Sequence, residues 1–161
     1  MSWYNSKRIN KETLTFLDGD VDDREGDPYR YLQMINEDYY FLILPRSMYI
    51  NDEILVTINF NDSNYPFGPP KKILVNGTDY RTILTPNNII QEFLNKFTDI
   101  RCLCCSTLMC KNNWSPRKTI KDLLEEIVKN LSIRRRTVEY IFAKKITQKY
   151  FGFYLPIEEF I

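Results

Sequence analysis

Residues 54–75 read ILVTINFNDSNYPFGPPKKILV. The opening run is rich in β-branched and aromatic side chains, the pattern of a strand with a buried face. Asn61, Asp62, Ser63 and Asn64 then favour a turn. Pro66, Pro69 and Pro70 cannot donate to a sheet ladder and hold φ fixed, so the chain must leave the sheet on a rigid, extended path. KILVNG, residues 72–77, supplies the next strand.

Upstream, YRYLQMI (29–35), YYFLILP (39–45) and EILVTINF (53–60) are three strand-like runs separated by polar or turn-forming steps. With KILVNG they predict a four-stranded antiparallel meander in which Tyr31, Gln33 and Ile35 share a face of the first strand. Before them, SKRINKETLTFL (6–17) places Ile9, Thr13, Phe16 and Leu17 on one side of a helix, with Ser6 as its cap and Lys7, Arg8 and Lys11 pointing elsewhere. DGDVDDREGDP (18–28) reads as an exposed acidic connector.

Downstream, DYRTILTPNN (79–88) fits neither period, whereas NIIQEFLNKF (88–97) has helical spacing at Ile89, Ile90, Phe93, Leu94 and Phe97. TIKDLLEEIVKNL (119–131) carries a continuous stripe from Ile120 to Leu131, opened by Thr119 and Asp122 in capping-box spacing. A second helix is expected over SIRRRTVEYIFAKKITQKYFG (132–152), with Val138, Ile141, Phe142, Ile146 and Tyr150 on one side, a basic face opposite and Gly152 at its end. The sum is an α+β fold: an N-terminal helix, a four-stranded antiparallel sheet and helices packed on one face, in a single domain over residues 1–161.

Hydrophobic residues make up 43% of the 161 and charged residues 27%, which excludes both a disordered tail and a membrane protein. Lys+Arg of 22 against Asp+Glu of 21 leaves a net charge of +1, so no global field draws the chain toward nucleic acid or anionic lipid. No run approaches the roughly twenty apolar residues that cross a bilayer, and MSWYNSKRINKE lacks an apolar stretch, so the cytoplasm or nucleus is expected. Arg134, Arg135 and Arg136 are the one basic cluster that could meet a phosphate, without interleaved surface aromatics.

All four cysteines fall in RCLCCSTLMCKNNWSPRKTI, residues 101–120, and the chain has no histidine. Without imidazole there is no Ser-His-Asp or Cys-His arrangement and no mixed Cys/His zinc site. A reducing compartment favours free thiols, and the neighbours Cys104 and Cys105 could pair only through strained geometry. Three readings stay open. Cys102, Cys105 and Cys110 read C-x2-C-x4-C, a zinc knuckle short of a ligand. Free cysteines also pack as small hydrophobes, the role expected for Cys110. Or one thiol is a nucleophile, which needs no cofactor.

The order of these elements, with Tyr65-Pro66-Phe67-Gly68-Pro69-Pro70 after the third strand and Trp114-Ser115-Pro116 leading into a helix, resembles the ubiquitin-conjugating enzymes over most of the chain. In that family a YPF-x-PP turn follows the third strand, and the nucleophilic cysteine lies shortly before a W-S-P. Ile146 to Tyr150 is similar to the family's last helix. The resemblance implies a transferase that takes ubiquitin or a ubiquitin-like modifier from an activating enzyme as a cysteine thioester and passes it to a lysine or to a ubiquitin ligase.

By interval to Trp114, Cys104 stands ten residues before it, Cys105 nine, Cys102 twelve and Cys110 four. The family's longer-loop members fit Cys104 first, then Cys105, then Cys102. The family's His-Pro-Asn is matched by Thr85-Pro86-Asn87, which makes Asn87 the counterpart of the oxyanion-side asparagine and leaves the histidine missing. Phe67, Pro116 and Arg117 correspond to the ligase-binding surface, and Lys7, Arg8 and Lys11 to the docking face for the activating enzyme, where a solvated helix face is the plain alternative. The same fold without catalysis, binding a partner or ubiquitin noncovalently, also fits the resemblance.

Overall fold

Alternating burial is what makes these segments strands. In a computed structural model, which describes residues 3–17, 28–44, 53–85 and 87–152, strands β1 (Tyr29–Ile35), β2 (Asp38–Ile43), β3 (Ile54–Asn59), β4 (Lys72–Val75) and β5 (Thr78–Asp79) form one antiparallel sheet in the order β1-β2-β3-β4-β5. Tyr39, Phe41 and Ile43 stand opposite Ile58, Val56 and Ile54, and Ile58 and Val56 stand opposite Ile73 and Val75. All of these inward side chains are buried in one core, while Tyr40, Leu42, Leu55 and Leu74 on the other face are half-exposed or exposed. This is the period-two pattern of a sheet packed on one side.

The fifth strand is an addition to the expected four. Asn76 and Gly77, read from sequence as the end of a strand, both have positive φ (48° and 78°) and form the two-residue turn between β4 and β5, the role Asn-Gly is built for. Asn76 also extends β3, its amide donating to the Leu55 carbonyl and its side-chain oxygen accepting from the Leu55 amide, each at 2.8 Å. The shared face foreseen for Tyr31, Gln33 and Ile35 does not form. A bulge between Tyr31 and Gln33 shifts the register, Tyr29 is buried and Tyr31 half-buried, and Leu32 to Ile35 are exposed.

The helices are α1 (Trp3–Leu14), α2 (Tyr80–Ile83), α3 (Asn88–Phe97), α4 (Leu103–Ser106) and α5 (Ile120–Phe151). Helix α1 begins ahead of Ser6, which therefore lies inside it rather than capping it. Ile9, Thr13 and Phe16 are buried as expected, whereas Leu17 is exposed. The ambiguous 79–88 stretch becomes the tail of β5 and the single turn α2, capped by Asp79. Residues 18–27 of the acidic connector, Pro45 and Pro86 lie outside the described residues.

The two C-terminal helices are one. Helix α5 runs 32 residues from the Thr119/Asp122 capping box to Gly152 in the left-handed conformation, because no Gly or Pro interrupts it. Its first half buries Ile120, Leu123, Leu124 and Ile127 completely. In its second half most of the stripe read from sequence faces outward: Val138, Phe142, Ile146 and Tyr150 are exposed, Ile141 is half-buried against the core, and Ile133, Thr137, Tyr140 and Thr147 take the buried side. Tyr140 closes on the rings of Phe93 and Phe97, at 5.9 and 5.2 Å, which seats α3 against α5. Among the described residues no helix is long and apolar enough to cross a membrane.

Candidate active site

A row of aromatic rings leads from the sheet to one edge of the molecule. Tyr39 meets Phe60, Phe60 meets Tyr65, and Tyr65 meets Trp114, with centroids 5.5, 4.7 and 5.7 Å apart. Tyr65 opens the proline turn through a cis peptide bond to Pro66, and the indole Nε1–H of Trp114 donates to the Pro66 carbonyl at 2.8 Å. The turn after β3 and the W-S-P segment before α5 are thus clasped together. Phe67, next to Pro66, is 71% exposed, and Pro116 and Arg117 are also exposed.

Glu12 ties the same edge to α1. Its Oε2 accepts the Tyr65 hydroxyl at 2.6 Å and the Ile120 amide at 2.8 Å, and its Oε1 pairs with Arg8 Nε at 2.6 Å. Arg8 Nη2 donates onward to the Lys118 carbonyl. Burial, reinforced by the bond to Glu12, holds the Tyr65 hydroxyl protonated well above its ordinary range. Arg8 is therefore half-buried and structural, while Lys7 and Lys11 remain exposed. The three line a depression of about 480 Å³ with Glu12 and Thr15.

Between α3 and the clasp lies the cysteine segment. Leu103 is buried and anchors α4, whose single turn leaves Cys102 and Cys104 half-exposed and Cys105 exposed. The turn is braced at several points. Ser106 donates through both amide and hydroxyl to the Cys102 carbonyl. Asn113 Nδ2 donates to the carbonyls of Cys105 and Thr107 at 2.6 and 3.0 Å. Glu126 of α5 accepts from Thr107 Oγ1 at 2.5 Å and the Leu108 amide at 2.6 Å, and also from the Tyr80 hydroxyl at 3.0 Å. Ser106, Leu108, Asp122, Glu125, Glu126 and Lys129 border an open cavity of about 340 Å³ beside this turn.

The sulfurs of Cys102, Cys104 and Cys105 lie within 4.8 Å of one another. Cys102 and Cys104 Sγ are 2.6 Å apart, and Cys104 and Cys105 Sγ 3.7 Å. Sharing a proton across the first pair splits their acidities. Hydrogen bonding from Cys104 lowers the Cys102 thiol below its ordinary value, and the same contact pushes Cys104 up to about 12. Of the two thiols, Cys102 is the one this contact makes easier to ionise.

Cys110 is half-exposed rather than buried filler, because Met109 takes the core position, and its sulfur is not part of the cluster. The grouping is thus Cys102, Cys104 and Cys105, not the C-x2-C-x4-C set. Asn87 is the exposed N-cap of α3: its side-chain oxygen accepts from the Ile90 amide at 2.7 Å, and no described hydrogen bond joins it to the cysteines. Of the arginine run, Arg134 donates to the Ile83 carbonyl and Arg135 pairs with Glu139 at 3.1 Å.

Compared with protein-family models, curated proteins and solved structures, the chain matches none.

Glu12, Asn113 and Glu126 are the site residues that sequence reasoning missed. Glu12 and Glu126 lie on helices otherwise read for their apolar stripes, and a carboxylate at the edge of a stripe looks like solvated surface until its donors are seen. Asn113 had one available signal, its place next to Trp114 in a turn between the cysteines and a helix.

Proposed function

We propose that the chain is a ubiquitin-conjugating transferase, which carries ubiquitin or a ubiquitin-like modifier as a thioester on the α4 turn. The observation that carries the reading is a cluster of solvent-reachable thiols on a braced turn, next to the Trp114 clasp that holds the proline turn and the W-S-P segment side by side. An α+β fold with an N-terminal helix, an antiparallel meander and helices on one sheet face is compatible with that family.

Chemistry follows from the sulfur pair. Sequence spacing ranks Cys104 first, whereas the contact between the two sulfurs favours ionisation of Cys102, so we take Cys102 as the nucleophile and Cys104 as its hydrogen-bond partner. The Cys102 thiolate attacks the carbonyl carbon of the modifier's thioester on the activating enzyme. A carbon–sulfur bond forms, the tetrahedral oxyanion collapses, and the activating enzyme's sulfur departs as thiolate. A lysine amine or a ligase thiol then repeats the exchange, releasing Cys102. Metal and cofactor have no part in it. Phe67, Pro116 and Arg117 would receive the ligase, and Lys7 and Lys11 the activating enzyme, in the cytoplasm or nucleus.

One observation favours a second reading, a noncatalytic module that binds a partner through Phe67: the Asn87 side-chain oxygen is committed to capping α3. Incubation with activating enzyme, ATP and a panel of modifiers separates the two. The transferase reading expects a thiol-labile adduct, abolished in Cys102→Ala, converted to a reductant-stable ester in Cys102→Ser and unchanged in Cys110→Ala. Absence of an adduct with every modifier, in protein that is folded, would move the assignment to the binding module.

A further inference from the structure

The cysteine turn gathers donors of a single kind. Cys102, Cys104 and Cys105 form a C-x-C-C run whose sulfurs all fall within 4.8 Å, and the chain contains no histidine to offer nitrogen. Three thiolates bound to one ion at metal–sulfur distances of about 2.3 Å must sit roughly 3.8–4.0 Å from each other. The Cys104–Cys105 separation of 3.7 Å already lies close to that edge, the Cys102–Cys105 separation is within 4.8 Å, and the Cys102–Cys104 pair, at 2.6 Å, has to open. Both side chains are half-exposed, Cys104 resting with one side against the core, so the sulfurs can separate by a rotation of Cys102 toward solvent. The backbone beneath is fixed by Leu103, Ser106 and Asn113.

We infer that this turn is a three-thiolate site for a soft, monovalent ion, Cu(I). Among the described residues the group offers three sulfurs and no fourth ligand, which does not complete the tetrahedron of a structural zinc site; soft thiolates take Cu(I), zinc or iron–sulfur clusters, and of these a monovalent soft ion is satisfied by three. Cys110 lies outside the group, so the expected coordination number is three. Binding replaces thiol protons by the ion and releases them to solvent, so affinity rises with pH. Exposure of the turn provides the entry path. Ion and acyl group would compete for the Cys102 sulfur, and the inference does not rest on the acyl-carrier reading, because binding is measured on the isolated chain with no activating enzyme present.

The test is a titration of the fully reduced chain with Cu(I) under anaerobic conditions, against a chromophoric Cu(I) chelator, with a parallel titration using Zn(II). One Cu(I) per chain is expected, with an ultraviolet thiolate-to-copper charge-transfer band. Affinity should fall at least tenfold in each of Cys102→Ser, Cys104→Ser and Cys105→Ser, and be unchanged in Cys110→Ser. X-ray absorption on the unmodified, copper-loaded chain removes any dependence on how the variants fold, and should give three sulfur neighbours. Failure to retain copper against the chelator, a dependence on Cys110, or a four-sulfur zinc complex in the parallel titration would each overturn the inference.

Discussion

At the scale of single residues, the proposed chemistry turns on the pair Cys102 and Cys104. A thiolate stabilised by one neighbouring thiol is reactive at a pH where an isolated cysteine is still protonated. Alkylation of Cys102 followed by peptide mass spectrometry should therefore rise through a midpoint below the ordinary thiol range, with Cys104 the least reactive of the cluster. Replacing Cys104 with Ala removes the donor, so the Cys102 midpoint should move upward; an unmoved midpoint would show that the sulfur contact does not set its acidity. Sequence spacing ranks Cys104 ahead of Cys102, and the sulfur contact favours Cys102, a difference that an interval counted from Trp114 cannot carry, since it holds no information about which sulfur donates to which. Glu126 was illegible for a similar reason. Its donors, Tyr80, Thr107 and Leu108, come from two remote segments. Glu126→Ala should cost about 1–3 kcal/mol, the usual penalty for stranding buried donors of a charged acceptor, read as a lowered urea midpoint.

At the scale of elements, local chemistry predicts well where it acts alone. The Thr119/Asp122 cap and the Gly152 terminus of α5 were both legible, since each depends on a few adjacent residues. The break expected between Leu131 and Ser132 was not real, because nothing there prevents the backbone from continuing, and the outward turn of Val138, Phe142 and Ile146 depends on what α5 packs against. The bulge in β1 was invisible for the same reason: it is a property of the pairing with β2. The β1–β2 turn carries a testable strain. Glu37 sits at φ 68°, a conformation that disfavours a Cβ. Glu37→Gly should stabilise the fold by about 0.5–1 kcal/mol in chemical denaturation, and a destabilised variant would mean that the Glu37 side chain makes a compensating contribution.

At the scale of the whole molecule, Glu12 and Trp114 join three segments far apart in sequence: α1, the proline turn and the start of α5. Glu12→Gln and Trp114→Phe should each lose about 1–3 kcal/mol of stability, through a stranded donor in the first and a lost hydrogen bond and packing volume in the second. Phe67→Ala, by contrast, alters an exposed ring and should change stability by less than about 0.5 kcal/mol. The sheet order and the α+β class were readable because alternation and proline punctuation are written locally. That Phe67 and Pro116, from the two proline segments, share a surface came from the resemblance, and the bond that joins the segments appears only in the fold. The most direct test of the acyl-carrier reading is intact-mass analysis after incubation with activating enzyme, ATP and ubiquitin. The predicted result is one added ubiquitin, less one water, removed by a reducing thiol and mapped to Cys102. An unchanged mass, or an addition that survives the thiol because it sits on a lysine, would contradict it.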